Sequence, residues 1–248
     1  PASPGFSPPS SRFLIAERAP SRATGMRTTS RDEFEFVVRP QRGKAYAERD
    51  DMRASPDCCR RPRPPADFEG ALEEKNAQLR AAGHPVLMVE ELLGGRLYTG
   101  PMYEKYNAVL RAQSGNAFLR RRFDELCGGN TYGTTIHAVS SCVLKLSKLA
   151  KATTVYRGLQ GAALPQAFFA PNAFGYCGGV EYGFTSTSED RAQALGYAAR
   201  PGERGAAAAC PVVFEMEQGM VSRGASMQWL SQYPHEAEVL FSPLLGVE

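Results

Sequence analysis

Two acids one residue apart, Glu236 and Glu238 in Tyr233-Pro234-His235-Glu236-Ala237-Glu238-Val239-Leu240-Phe241, are the most chemically suggestive pair in the chain. Alternate side chains of a strand share a face, so a strand here puts both carboxylates on one side and Ala237, Val239 and Phe241 towards a core. The two side chains then lie about 6 to 7 Å apart, near enough for each negative charge to raise the other's pKa. Such a pair suits breaking a bond at an anomeric carbon, where one carboxylate steadies a cationic sugar and another handles a proton. A solvated strand face without chemistry has the same pattern.

Two upstream segments add to the pair. In Thr154-Val155-Tyr156-Arg157-Gly158-Leu159, an arginine sits in a stretch otherwise suited to burial. Burying it is costly unless the guanidinium meets an anion, and its donor fork suits phosphate or carboxylate. Gly158 next to it lets a ligand approach the backbone. An edge-strand arginine pointing into water is the alternative. In Gly183-Phe184-Thr185-Ser186-Thr187-Ser188-Glu189-Asp190, a hydroxyl-rich strand end leads into a helix running towards Tyr197. It can hydrogen-bond a ribose, but Ser186 and Glu189 also fit a capping box that starts a helix with no ligand.

The elements that must position these residues follow from periodicity. Phe68 to Ala82 reads as a helix ended by Gly83. A second helix is expected from Pro101, with Tyr103, Tyr106 and Leu110 as its stripe. A third, from about Thr134 to Lys151, sets Ile136, Val139, Val143 and Leu146 on one face. His137 borders that stripe, has no second ligand at metal spacing, and reads as a packed histidine. Beyond Lys151 the texture becomes strand-like at Thr153 to Leu159, Tyr182 to Ser186, Pro211 to Met216 and Glu236 to Phe241. Helices first and strands afterwards define an α+β (mixed α/β) domain. Trp229, the single tryptophan, reads as the anchor of a loop between Gly224 and Pro234.

Composition sets the outer limits. Ten of the 18 prolines precede residue 66, where large apolar residues are sparse, so residues 1–66 read as a Pro/Arg-rich linker or disordered tail, with brief strand character at Phe34 to Val38. Residues 67–248 form the expected folded domain. The tail holds 13 Lys/Arg against 8 Asp/Glu, and the remainder 16 against 18. A basic balance confined to a solvated tail gives no expectation of nucleic-acid binding. No apolar run reaches the roughly 18 residues of a membrane span, so a soluble protein without a membrane partner is expected. The six cysteines (Cys58, Cys59, Cys127, Cys142, Cys177, Cys210) have no CxxC spacing, which argues against zinc and reads as reduced thiols of an intracellular protein. The chain starts at Pro1 with no signal-peptide pattern, as if numbered from inside a longer product.

In order, the arginine of VYRGL, the FTSTS strand end and the YPHEAEVLF strand resemble the R-S-E class of ADP-ribosyltransferases, which includes vertebrate ecto-enzymes and bacterial toxins. Spacings of 29 residues from Arg157 to Ser186 and 52 from there to Glu238 suit that class. Leu97-Tyr98-Thr99-Gly100-Pro101, Lys105 to Arg111 and Ser231-Gln232-Tyr233-Pro234 look most like members encoded by algae and other protists. The resemblance runs from about Val86 to Glu248. It implies a core of two packed, mostly antiparallel sheets behind a helical N-terminal part, clasping NAD.

By position, the resemblance gives Arg157 the NAD phosphates and the nicotinamide-side ribose, and Gly158 a backbone bond to the nicotinamide amide. Ser186 would orient Glu238, with Thr187 and Ser188 supporting that strand end. Glu238 would accept from a ribose hydroxyl and stabilise the cationic transition state as nicotinamide departs. Glu236 would bind and help deprotonate the incoming guanidinium, which makes arginine the implied target. Tyr233 would contact the target from a recognition turn spanning about Ser222 to Tyr233, and residues 200–209 occupy the place of a loop near the phosphates. NAD is then consumed as a co-substrate, no metal is needed, and the partner is a protein with an accessible arginine. NAD glycohydrolysis and a non-catalytic NAD- or protein-binding module are the competing functions.

Overall fold

The computed structural model describes residues 30–38, 63–159, 164–199, 212–219 and 222–248. These divide into two compact units, one containing the described residues up to Cys142 together with Leu230–Tyr233, the other Val143–Trp229 and Pro234–Glu248.

The first unit is helical: α1 (Ser30–Val38), α2 (Glu69–Ala81), α3 (Val89–Leu97), α4 (Tyr103–Arg111), α5 (Ala117–Cys127) and α6 (Gly133–Leu146), whose last residues open the second unit. The brief strand expected at Phe34 to Val38 is instead part of α1. Its Glu-Phe-Glu-Phe pattern alternates like a strand, yet Glu33, Phe34, Phe36, Val37 and Val38 are all buried, and a helix enclosed on several sides shows no clean apolar stripe. The helix expected from Phe68 forms as α2. After it Gly83 turns left-handed at φ +72 and His84 N–H closes onto Leu79 O at 2.8 Å, a glycine-terminated stop.

Pro101 does not open the next helix. It lies in an irregular turn, Tyr98–Met102, where Gly100 leaves helical geometry, and α4 starts two residues later. The stripe expected there is only partly internal: Tyr106 is buried and Tyr103 exposed, while Lys105 and Asn107 are enclosed. In α6, Val139, Val143 and Leu146 are buried as expected, but His137 is exposed rather than packed. Helix α5, missing from the sequence reading, is capped by Asn116, whose side chain accepts from Phe118 N and Leu119 N, and ends at left-handed Gly128.

A polar network ties Leu230–Tyr233 into this helical unit. The buried Arg96 donates through Nη1 to Leu230 O at 2.9 Å and Ser231 O at 3.2 Å, with its guanidinium 4.8 Å from the Phe68 ring centre. Gln232 Nε2 donates to Glu33 Oε1 at 2.9 Å and Arg96 O at 2.8 Å, and its backbone N–H to Thr99 Oγ1 at 3.0 Å. These contacts satisfy polar groups that would be expensive to bury alone.

The second unit carries the strands β1 (Thr154–Leu159), β2 (Gly179–Glu181), β3 (Thr185–Ser188), β4 (Val212–Glu217), β5 (Ala225–Ser226), β6 (Glu238–Phe241) and β7 (Leu245–Val247), and the helix α7 (Arg191–Ala198). A five-stranded sheet has the order β4-β1-β3-β6-β5, and β2 pairs with β7 in a second sheet. Every pairing among the described residues is antiparallel, so the helices-then-strands reading and the two antiparallel sheets hold. Val155, Val239 and Phe241 form a core cluster, with Met216 and Leu245 against it. No helix of the described residues is long and apolar enough to cross a membrane.

Helix α7 packs on β1 at a point where only glycine fits. A Cβ added at Gly158 would stand 2.1 Å from Ala194 O and 2.9 Å from Ala198 N, both helix backbone. On the side that a Cβ would occupy, this glycine therefore admits the close approach of a helix backbone. Gly158→Ala is expected to cost about 3 kcal/mol through forced displacement of α7, read as a melting temperature several degrees lower. An unchanged melting curve would refute this packing constraint.

Candidate functional site

Register brings the candidate residues together. In the β3–β6 pair Ser186 faces Leu240, Thr187 faces Val239 and Ser188 faces Glu238. Residues directly opposite share a face, so Ser186, Ser188, Glu238 and Leu240 line one side and Thr185, Thr187, Val239 and Phe241 the other. From the diagonal position Ser186 Oγ donates to Glu238 Oε1 at 2.6 Å. Thr187 Oγ1 donates across the strands to Val239 O at 2.7 Å. Ser188 Oγ donates to Glu236 O at 2.7 Å and accepts the Asp190 N–H at 3.0 Å. Each hydroxyl of the Ser186-Thr187-Ser188 run thus fastens β3 to the segment carrying the two acids.

The geometry of those acids differs from simple strand alternation. β6 begins at Glu238, whereas Glu236 ends a one-turn helix, Pro234–Glu236. Between them Ala237 takes a left-handed backbone, φ +44, which an L-residue with a Cβ adopts at some cost. Proline's fixed φ favours the tight turn, and the Ala237 N–H closes it on Pro234 O at 3.4 Å. The two carboxylates leave the backbone from different conformations. Ala237 is accordingly half-buried, not a core residue, while Val239 and Phe241 do enter the core.

Glu238 is 7% exposed, which rules out a solvated strand face at that position. Its pKa is pushed up to about 7, mainly because burial penalises the charged form. The Ser186 hydrogen bond pulls the other way, and the neighbouring Glu236 charge adds to the rise.

Arg157 on β1 donates through Nη1 to Ser186 O at 3.4 Å. Its Nη2 lies 3.6 Å from Glu181 Oε2, with the arginine side chain 18% exposed. The shielded guanidinium thus meets an anion supplied by the chain itself. Glu181 is absent from the motifs, and the signal that could have revealed it is an acid two residues before Gly183, whose N–H it binds. The capping box drawn from Ser186 to Glu189 does not form, because Ser186 belongs to β3. Asp190 caps α7 instead, accepting from Ala192 N at 2.8 Å.

Arg157, Gly158, Ser186, Thr187, Ser188, Glu236 and Glu238 all belong to the second unit, and Tyr233 to the first, where its N–H binds Ser231 Oγ at 2.9 Å. Residues 200–209 lie outside the described residues. Among the described residues, no group of three or more His, Cys, Asp or Glu is placed to hold a metal ion. Cys127 and Cys142 are buried free thiols and Cys177 an exposed one.

No protein-family model and no curated protein matches the chain. Among solved structures it is similar to the ADP-ribosyltransferase HopU1 of Pseudomonas syringae pv. Tomato DC3000, with a TM-score of 0.49 and 20% identity over 88% of this chain and 89% of that one. It is similar also to the Vis toxin, an ADP-ribosyltransferase from Vibrio Splendidus, with a TM-score of 0.45 and 22% identity over 73% and 76% of the two chains. The eukaryotic mono-ADP-ribosyltransferase ART2.2 gives 0.40 and 18% over 72% and 69%.

The raised pKa of Glu238 has a definite sign in stability. The unfolded chain releases this proton near 4.5 and the folded chain near 7, so the stabilisation held at low pH is lost as pH rises between those values, by about 3 kcal/mol. Urea unfolding of wild type and Glu238→Gln across that interval should give curves that converge at the acid end and separate as pH rises, wild type declining relative to the variant. Parallel curves would count against a buried, neutralised Glu238.

Proposed function

We propose that the chain transfers ADP-ribose from NAD to arginine side chains of a protein and releases nicotinamide. The observation that carries this reading is the buried Glu238 carboxyl held by Ser186 Oγ at 2.6 Å, on a strand whose neighbour also receives the Arg157 guanidinium. A carboxylate fixed away from water is suited to stabilise positive charge developing on a sugar, because it needs no reorganisation as that charge appears. The order of Arg157, Ser186 and Glu238 in the sequence supports the same chemistry.

In this reading NAD is a consumed substrate. Arg157 binds its diphosphate and the nicotinamide-side ribose through charge-assisted hydrogen bonds, and Gly158 offers a backbone group to the nicotinamide amide. Ser186 holds the Glu238 carboxyl in one orientation, and Thr187 and Ser188 fasten the strand end. Glu238 in its ionised form accepts from a ribose hydroxyl and stabilises the cationic sugar as the bond to nicotinamide breaks. The positive charge of the bound nicotinamide favours that ionised form. Glu236 takes a proton from the acceptor guanidinium, so that neutral nitrogen attacks the anomeric carbon. Tyr233 contacts the acceptor. The acid at Glu236 is the reason for assigning arginine.

Incubation with labelled NAD and agmatine should yield a hydroxylamine-labile ADP-ribosyl product. Glu238→Gln should slow nicotinamide release by at least about a hundredfold. Glu236→Gln should slow transfer to agmatine by about a hundredfold while changing NAD hydrolysis little. Absence of nicotinamide release from a folded sample would refute the NAD chemistry, and release without any agmatine product would point to a glycohydrolase.

A further inference from the structure

The guanidinium of Arg157 is held by a carboxylate that lies in neither sheet partner of β1. Glu181 ends β2, where it faces Leu245 of β7, and so reaches Arg157 from the second sheet. Its Oε2 is 3.6 Å from Arg157 Nη2, with side chains 18% and 25% exposed, arginine first. Solvent screens this shielded pair less than it screens a surface pair. The other oxygen, Oε1, accepts the Gly183 N–H at 2.8 Å.

That last contact decides what kind of partner Glu181 is. A counter-ion that merely occupied an anion site would have to leave when a phosphate arrived. Glu181 is fixed by a bond to its own turn, which does not depend on Arg157, and moving aside would leave a backbone donor unpaired. On its other arm the guanidinium donates to Ser186 O at 3.4 Å. The connection from Glu181 to Ser186 therefore grips Arg157 at two points, and two points set the plane of a rigid fork of donors before any ligand is bound.

We propose that Glu181 is a positioning residue, which holds the Arg157 guanidinium in the plane from which it binds the diphosphate of NAD. The proposal rests on the NAD chemistry argued above. It assigns no chemical step to Glu181, which acts through the arginine alone.

The test measures nicotinamide release by the full chain against NAD concentration for wild type, Glu181→Ala and Glu181→Gln, with Glu181→Ala repeated in an Arg157→Lys background. Calorimetric NAD affinity supplies the comparison for the slower Arg157→Lys pair. Glu181→Ala is expected to raise the KM for NAD about tenfold while kcat changes less than about threefold. Glu181→Gln keeps an acceptor for the Gly183 N–H and should recover part of the loss. In the Arg157→Lys background the Ala substitution should weaken NAD binding less than about twofold, because an ammonium has no plane to orient. A merely structural role would penalise both backgrounds equally. Equal penalties, or an unchanged or lowered KM in Glu181→Ala, would overturn the positioning role and leave the NAD chemistry standing. A folded wild-type chain that neither binds nor cleaves NAD would overturn both.

Discussion

The second unit is organised around one awkward requirement, a carboxyl group buried almost completely with a serine hydroxyl on one of its oxygens. Burial of an acid is unfavourable in its charged form, and a single hydrogen bond offsets only part of that cost. Much of the surrounding construction holds the acid in place. The antiparallel register of β3 and β6 sets Ser186 diagonal to Glu238, and Thr187 and Ser188 lock the same two segments through Val239 O and Glu236 O. The core of Val155, Val239 and Phe241 supports the sheet beneath. Such a group opposes stability in the charged form that the proposed chemistry uses, the kind of conflict that functional sites commonly contain.

What could be read from the chain was the inventory of groups and their order. Arg157 stands out because a guanidinium is costly to bury without an anion, Glu238 as one of two acids in a short segment and Ser186 as part of a hydroxyl-rich strand end, and the structure gathers all three within one unit. The strands β1, β3, β4 and β6 were legible to within a few residues because β-branched and aromatic residues cluster there. What could not be read depended on distant partners. Nothing local distinguishes the Ser186-to-Glu189 spacing of a capping box from a strand end followed by the true cap at Asp190, since only pairing with β6 commits Ser186 to a strand. Residues 33–36 alternate as a strand would, yet they fold within α1, where Glu33, Phe34, Phe36, Val37 and Val38 are all buried. The closeness of α7 to Gly158 is likewise invisible locally, because the helix backbone that takes the place of a Cβ there comes from residues 194 and 198.

The same limit applies to Glu181. Its relation to Arg157 spans two sheets, and its local signature is no more than an acid two residues ahead of a glycine. Motifs record groups that meet a substrate directly, whereas groups that aim those residues can come from any segment that topology delivers. Here β2 and β7 form a two-stranded sheet with little core of its own, and the acid at its end gives that small sheet a role in the electrostatics of the larger one.

The left-handed residue between the two acids has a further meaning. Ala237 acts as a fixed joint, setting in the backbone the angle between Glu236 and Glu238. Glu238 is held by Ser186 through its side chain, and Glu236 by Ser188 through its carbonyl. A replacement at position 236 keeps that carbonyl, so this one hydrogen bond does not depend on the side chain. Under the proposed chemistry, a change of side chain at position 236 therefore leaves in place both the Ser188 bond to that carbonyl and the Ser186 bond to Glu238.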